Sequence, residues 1–330
     1  MTVYRWMEDE PPEVQERYRG ALDGLLAEVA EADGVPALSE AFVQGIRGEG
    51  GHTGHRHLLA VDDGGTVVGV LAVDAAGPDD AAGVAEMAVR PVARRRGTAT
   101  GLLREVGRGL DPEAQFSIWA HGDLGAARGL AEVRGARTVR ELLKMSVPCG
   151  TGDPARRELV DGARVARTTV EDAGYRIYDY PAACAEFGAE LVDREWLRVN
   201  NEAFAWHPEQ GGWDLRRLRE ARGTDWFDPA GVIMLWSRDE CQGPQCAGVH
   251  WTKHPDGDPH GEVYVVCLAD GARGRGLGGP LTLLGIGHLI EEGVDAVDLY
   301  VEGDNAPAVA TYRRLGFTVV HRDVVFRGMV

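Results

Sequence analysis

The chain has 330 residues, 44% of them hydrophobic and 26% charged, which is typical of a soluble globular protein. Domains commonly hold roughly 100–200 residues, so the length predicts two of them. A formal net charge of −17 argues against a nucleic-acid partner, because phosphate binding depends on clustered Lys and Arg. No run approaches the roughly 20 apolar residues that span a bilayer, and the start lacks the apolar stretch of a signal peptide, so we expect a cytoplasmic protein without a membrane partner.

The first half predicts a strand hairpin, HLLAVDD and TVVGVLAVD, turned at Gly64 and Gly65. The stretch before it, GEGGHTGHRH, contains His52, His55 and His57 and is interpreted as a solvated loop. A strand at 84–89 then leads into the loop RRRGTA at 94–99, which begins an amphipathic helix. Another strand, at 116–121, a short helix and a last strand complete this half.

The second half repeats the same order of elements after the Gly- and Pro-containing stretch 149–154, which predicts a linker. A hairpin, VIMLWSRD and CAGVHWTKH, precedes a strand at 262–268 and the loop RGRGLG at 273–278. A helix, a strand at 297–302, a short helix ending near Gly316 and a last strand follow. The repeat places the domains at 1–150 and 151–330.

The chemistry of the Arg-Gly loops indicates what each repeat is for. Glycines after a strand let successive N–H groups turn toward one point, and the helix that follows adds the positive end of its dipole. Such a loop can hold a pyrophosphate. The hairpins before it argue against a dinucleotide-binding fold, which needs parallel strands joined by helices.

These elements resemble the GNAT superfamily of acetyltransferases, whose loop consensus is satisfied by Arg273, Gly276 and Gly278 and again by Arg94, Gly97 and Ala99. The resemblance implies an α+β fold of two tandem GNAT domains, each with a mixed, mostly antiparallel sheet flanked by helices. It also implies acetyl-CoA as the acetyl donor, with no metal. The cofactor-binding residues implied are Val266, Cys267, Leu268, Arg273, Gly274, Arg275, Gly276, Leu277, Gly278, Gly279, Asn305 and Ala310, and in the first half Met87, Ala88, Val89, Arg94, Arg95, Arg96, Gly97, Thr98 and Ala99.

Longer strings in the second half, LRVNNEAFAWHPEQGGW at 197–213, HWTKHP at 250–255 and GEVYV at 261–265, resemble the mycothiol synthase family. Fainter similarity extends through the first half. The resemblance implies N-acetylation of the cysteinyl amine of a cysteine-glucosamine-inositol conjugate, the last step of mycothiol biosynthesis. The acceptor-binding residues implied are Glu40, Glu209, Lys253, Glu262 and Tyr300.

Acyl transfer to an amine needs a base for the ammonium proton and an acid for the departing thiolate. Glu262 is predicted to be the base and Tyr312 the acid. The alternatives are an exposed glutamate at a strand edge and a tyrosine on the core face of its helix. The first half has Ala131 at the place of Tyr312, and its Glu86 is three residues from the place of Glu262. We therefore expect a non-catalytic, structural first domain. Its Glu40 either contacts the acceptor or is an ordinary exposed glutamate.

Other acceptors remain open, since a GNAT enzyme could act on another small amine or a peptide N-terminus, or the chain could be a non-catalytic CoA-binding regulator. Trp206 and Trp213 could line the acceptor pocket or anchor its loop to the core. The five cysteines form no CxxC pair, so neither a disulfide scaffold nor a metal site is predicted. A monomer is expected.

Overall fold

The computed structural model describes residues 2–48, 54–74, 83–108, 116–205, 210–237 and 243–330. The chain folds as two compact units. The first contains the residues up to Leu142 together with His321–Val330, and the second is Leu143–Val320.

This division differs from the boundary expected at 150. The chain passes between the units inside two long strands, at Leu142 and again at His321. The stretch 149–154 belongs to the second unit, where Cys149 is fully buried and its N–H donates to the Asp295 carbonyl at 2.7 Å. A buried, hydrogen-bonded segment is part of a core, so this stretch is not a linker.

The first unit contains a mixed sheet whose neighbouring strands follow the order β1-β2-β3-β4-β5-β12. Its strands are β1 (Val3–Trp6), β2 (His55–Val61), β3 (Val67–Asp74), β4 (Val84–Val89), β5 (Ser117–Ala120), the first half of β6 (Arg137–Pro148) and the second half of β12 (Thr318–Arg327). Its helices are α1 (Pro12–Asp33), α2 (Glu40–Arg47), α3 (Thr98–Gly107) and α4 (Gly125–Arg134). Strands β4 and β5 are parallel, and the remaining pairs β1-β2, β2-β3, β3-β4 and β5-β12 are antiparallel.

Alternating side chains of β3 bury both faces of this sheet. Val70 packs on the core shared with α1 and α2, whereas Leu71 packs on the core shared with α3. The final segment adds Val324, Phe326 and Met329 to the second of these cores, each at most 3% exposed. The end of the chain is therefore part of the first unit's interior.

The second unit repeats this architecture, with neighbouring strands in the order β6-β11-β10-β9-β8-β7. Its elements, besides the second half of β6 and the first residues of β12, are α5 (Pro154–Asp172), β7 (Tyr175–Asp179), α6 (Tyr180–Phe187), α7 (Ala189–Ala203), α8 (Leu215–Ala221), β8 (Val232–Ser237), β9 (Cys246–Lys253), β10 (His260–Leu268), α9 (Gly278–Glu291), β11 (Ala296–Glu302) and α10 (Ala306–Arg314). Only β10 and β11 of the registered pairs in this unit are parallel. The predicted α+β class with mixed, mostly antiparallel sheets is confirmed.

The histidine-rich stretch was expected to be a solvated loop, and that prediction is wrong for its described part. His55 and His57 begin β2. His57 is 1% exposed, and its Nδ1 lies 2.7 Å from the Glu8 carboxylate. The carboxylate gives Nδ1 of this buried ring a partner, which residue type alone does not reveal.

No helix among the described residues is long and apolar enough to cross a membrane. The same residues contain no group of three or more His, Cys, Asp or Glu arranged to hold a metal ion. Cys149, Cys184, Cys246 and Cys267 are free thiols, and Cys241 lies outside the described residues.

Candidate functional site

The two Arg-Gly loops occupy equivalent places in the two units. In the second unit, Gly274 and Gly276 adopt φ values of +73° and +76°, and α9 begins at Gly278. In the first unit, Gly97 has φ +85°, and α3 begins directly after it. Each loop thus turns in the left-handed region that glycine tolerates, and it leads into a helix whose first N–H groups have no acceptor within the helix.

The arginine that begins each loop braces the loop itself. Arg273 Nε donates to the Leu268 carbonyl at 3.3 Å, and Arg94 Nε donates to the Val89 carbonyl at 3.0 Å. Arg94 also makes a bidentate contact with Asp33, with both distances 2.7 Å. These side chains fix the loop to the strand before it, and the loop's backbone N–H groups and the start of the helix are groups of the kind that can bind an anion.

The parallel strands before each loop separate. Registered pairing of β10 with β11 ends at Val263 and Leu299, and beyond this point Val266, Cys267 and Leu268 are registered with β9 alone. The backbone edge of these three residues is therefore available to an extended ligand on the β11 side. The Cys267 side chain points into the core, where burial raises its pKa to about 12, so this thiol is not a nucleophile.

Glu262 lies on β10 with charged neighbours on both adjacent strands. It is registered with Lys253 on β9 and with Asp298 on β11, and the Lys253 Nζ lies 3.6 Å from its Oε2. Burial raises the pKa of Glu262, and Lys253 partly offsets this effect. A carboxylate with a raised pKa is suited to accept a proton near neutral pH.

Tyr312 lies on α10 among apolar residues of the unit's core, with its ring 5.9 Å from that of Phe317. Burial raises the pKa of Tyr312 to about 12, so the phenol keeps its proton at neutral pH. The Asn305 side chain caps α10 by accepting from the Ala308 N–H at 3.3 Å. This capping fixes the helix that carries Tyr312.

The residues predicted to bind the acceptor lie in different surroundings. Lys253 Nζ lies 5.4 Å from the Trp226 ring and 5.8 Å from the Tyr264 ring, so two aromatic faces and Glu262 hold its ammonium group. Tyr300 is 48% exposed on β11. Glu40 is exposed in the first unit at the start of α2, and Glu209 lies outside the described residues, as does Trp206.

Trp213 anchors the segment that follows. It is 9% exposed in the unit's core. Its N–H donates to Asn201 Oδ1 at 3.0 Å, and its carbonyl accepts from Asn201 Nδ2 at 2.9 Å. Of the two interpretations left open by the sequence, these contacts favour the anchor.

Asp298 and Lys144 lie near Glu262 and were missed by sequence reasoning. Asp298 is 6% exposed, and its Oδ2 accepts from Lys144 Nζ at 2.8 Å and from His260 Nδ1 at 3.0 Å. Burial opposes ionisation of Asp298, but the donors Lys144, Ser146 and His260 outweigh it and lower its pKa. Only the strand register reveals that this anion neighbours Glu262.

The first unit contains a cavity of about 400 Å³ next to its loop. Its walls include Met87, Ala88, Val89, Arg94, Arg95, Gly97, Thr98, Ala99, Trp119 and His121, whereas Arg96 is exposed and is not among them. Glu86 is buried and already engaged, because it accepts from the Ser39 N–H at 2.5 Å and lies 3.3 Å from His121. Ala131 stands where the second unit has Tyr312, so this unit has a groove without the predicted acid and base.

The loops, the separated strands and the two repeated sheets define an acetyltransferase of the GNAT type. The Acetyltransferase (GNAT) family profile matches residues 189–317. Two solved structures share the fold: a GCN5-related N-acetyltransferase from Sphaerobacter thermophilus (22% identity, TM-score 0.65, 99% of this chain and 95% of that one) and a tandem GNAT protein from the clavulanic acid biosynthesis pathway (18% identity, TM-score 0.57, 99% and 98%).

Curated relatives narrow the class further. A protein of Corynebacterium urealyticum named mycothiol acetyltransferase is 53% identical over 93% of this chain and 94% of its own length. The chain therefore belongs to the mycothiol acetyltransferase family.

Proposed function

We propose that the second unit transfers the acetyl group of acetyl-CoA to the cysteinyl amine of a cysteine-glucosamine-inositol conjugate, which yields mycothiol. The observation that carries this proposal is the placement of Glu262 on the strand that leads into the Arg-Gly loop, within a chain 53% identical to a mycothiol acetyltransferase.

The donor's pyrophosphate would be held by backbone N–H groups of Gly274–Gly279, with Leu277 buried in the core beneath them. The backbone edge of Val266–Leu268 would bind the pantetheine arm. Acetyl-CoA supplies a thioester carbonyl, which the acceptor nitrogen attacks as the C–S bond breaks. A loop fixed by Arg273 and a helix fixed by its Asn305 cap would position these groups without reorganisation.

Glu262 would take the proton that the acceptor ammonium must lose before its nitrogen can attack. The pKa of Glu262 is raised and so lies closer to the pKa of an α-amino group, which is about 8. The smaller difference between the two pKa values favours this proton transfer. Tyr312 would donate its proton to the departing thiolate. Its own pKa of about 12 keeps the phenol protonated until the thiolate forms.

Glu40, Glu209, Lys253 and Tyr300 would contact the acceptor together with Glu262. The first unit would support the second without catalysis, because its Glu86 is committed to Ser39 and His121. Its 400 Å³ cavity beside Gly97 is compatible with a bound CoA. A cytoplasmic location and a monomeric state remain predictions from the sequence.

The test incubates the protein with acetyl-CoA and a panel containing the conjugate, free cysteine, a peptide amine and an aminoglycoside, read by mass spectrometry. We expect one acetyl group on the conjugate's amine, and formation of the same product roughly 10²- to 10⁴-fold more slowly with Glu262→Gln. Preference for another amine would be consistent with the GNAT mechanism but would refute the conjugate as the acceptor. No turnover with any amine would favour a CoA-binding regulator.

A further inference from the structure

Four charged side chains form a row across four neighbouring strands of the second unit. The strands follow the order β6, β11, β10 and β9, and they carry Lys144, Asp298, Glu262 and Lys253, respectively. Glu262 is registered with both Asp298 and Lys253, and Lys144 Nζ lies 2.8 Å from Asp298 Oδ2. The row therefore runs positive, negative, negative, positive.

Two carboxylates side by side on adjacent strands repel each other, since neighbouring strands lie only about 4.8 Å apart. Each carboxylate of this row has its own ammonium partner, at 2.8 Å for Asp298 and 3.6 Å for Glu262. A buried ion pair is weak evidence for a stabilising role, because apolar replacements are often as stable. The position of the row beside the predicted base favours a role in the reaction.

Lys144 reaches the surface on which the acceptor is proposed to bind. Its side chain is 30% exposed, and its Nζ lies 5.8 Å from the ring of the half-exposed Tyr300. An ammonium group has three donors, and the contact with Asp298 uses one of them. The other donors are available to hydroxyl or carbonyl oxygens of a bound molecule.

We propose that Lys144 is a further acceptor-contacting residue and that Asp298 is the positioning residue that holds it beside Glu262. The inference rests on the proposed function and narrows its acceptor class. The amine would bind at Glu262, and oxygen atoms of the same molecule would bind at the two flanking lysines. An amine without such oxygens would lose both lysine contacts.

The charges in the row also affect the pKa of Glu262. The charges that act on it are Lys253 on β9, Lys144 on β6 and Asp298 on β11, with His260 on its own strand bound to Asp298. Lys144 lowers the pKa of Glu262, whereas Asp298 raises it. Removing one charge should therefore move the acid limb of kcat/KM in the direction opposite to removing the other.

The experiment compares Lys144→Met and Asp298→Asn with the wild-type full-length protein, using acetyl-CoA and the conjugate across pH. Lys144→Met should lower kcat/KM for the acceptor about 10-fold to 100-fold, the effect of one lost charged hydrogen bond, with KM for acetyl-CoA unchanged. It should move the acid limb upward by roughly half a unit, and Asp298→Asn should move it downward by a similar amount. Lys144→Arg keeps the charge and should keep the wild-type limb.

Asp193→Asn is the matched control, because Asp193 forms another buried ion pair of this unit, with Arg222 at 2.8 Å. It should lower thermal stability and leave the acid limb in place. The inference is overturned if Lys144→Met leaves acceptor kcat/KM unchanged, if both variants move the limb in the same direction, or if the control moves it equally. Failure of the wild-type protein to acetylate the conjugate would instead refute the proposed function.

Discussion

The charge on His121 predicts that the first unit loses stability as the pH rises. The ring follows β5 and is 17% exposed. Its Nε2 lies 3.3 Å from Glu86, and its Nδ1 lies 3.4 Å from Asp323, a residue of the returning strand β12. Burial opposes the imidazolium charge, but the two carboxylates outweigh it and raise the pKa of His121 to about 9.

The sign and size of the effect follow from this pKa. An unfolded histidine titrates near 6.5, so the folded state binds the proton more tightly. The stabilisation is complete below about pH 6.5 and is lost as the pH rises through about 9. A difference of this size, at about 1.4 kcal/mol per pKa unit, corresponds to about 3 kcal/mol of unfolding free energy.

The assay is hydrogen exchange of β5 and the end of β12, followed in wild-type protein and His121→Gln at matched pH between 6 and 10. Wild-type protein should be the more protected at pH 6, and the difference should shrink by about 3 kcal/mol by pH 10. His288→Gln removes a histidine paired with Asp228 in the second unit and should leave these strands unaffected. Parallel wild-type and His121→Gln curves across the whole range would refute the reasoning.

Three further predictions concern the reaction. Glu262→Gln should lower kcat by roughly 10²- to 10⁴-fold with acetyl-CoA affinity retained, as measured by steady-state kinetics and calorimetry; an unchanged kcat would make Glu262 an ordinary strand residue. Gly276→Val should abolish turnover, because a branched side chain is strained at φ +76° and obstructs the pyrophosphate. Gly97→Val, at φ +85°, should change only stability. Equal loss of activity in two folded variants would contradict the assignment of catalysis to the second unit alone. Free cysteine should have a kcat/KM about a thousandfold below that of the conjugate, since each missing hydrogen-bond partner costs about 1–3 kcal/mol. Glu209→Gln should narrow this difference in kcat/KM. Comparable kcat/KM values for the two acceptors in wild-type protein would refute the proposed identity of the acceptor.

The sequence by itself determined the repeated order of elements in the two halves. Strand, Arg-Gly loop and helix are local patterns, and both observed loops lie where the spacing of Arg94 and Arg273 predicts them. The same patterns placed Glu262 on the strand before the loop. These predictions succeeded because hydrophobic periodicity and glycine geometry act within a few residues.

The roles of individual side chains were less visible to the sequence. Arg273 belongs to the predicted loop, yet its Nε donates to the carbonyl of Leu268, the last residue of the strand before that loop. His57 is in a Gly-rich stretch but is buried against Glu8. A local pattern predicts the path of the backbone, whereas the partner of a polar side chain is chosen by packing.

Only the tertiary structure decided which distant residues meet. The return of His321–Val330 to the first unit places Asp323 beside His121, and strand register places Lys144 and Asp298 in the row that contains Glu262. Strands β6 and β12 have ordinary strand patterns that do not state their partners. Register is fixed by the pairing and burial of the whole sheet, so the charges gathered around the candidate base follow from the fold and not from any one segment.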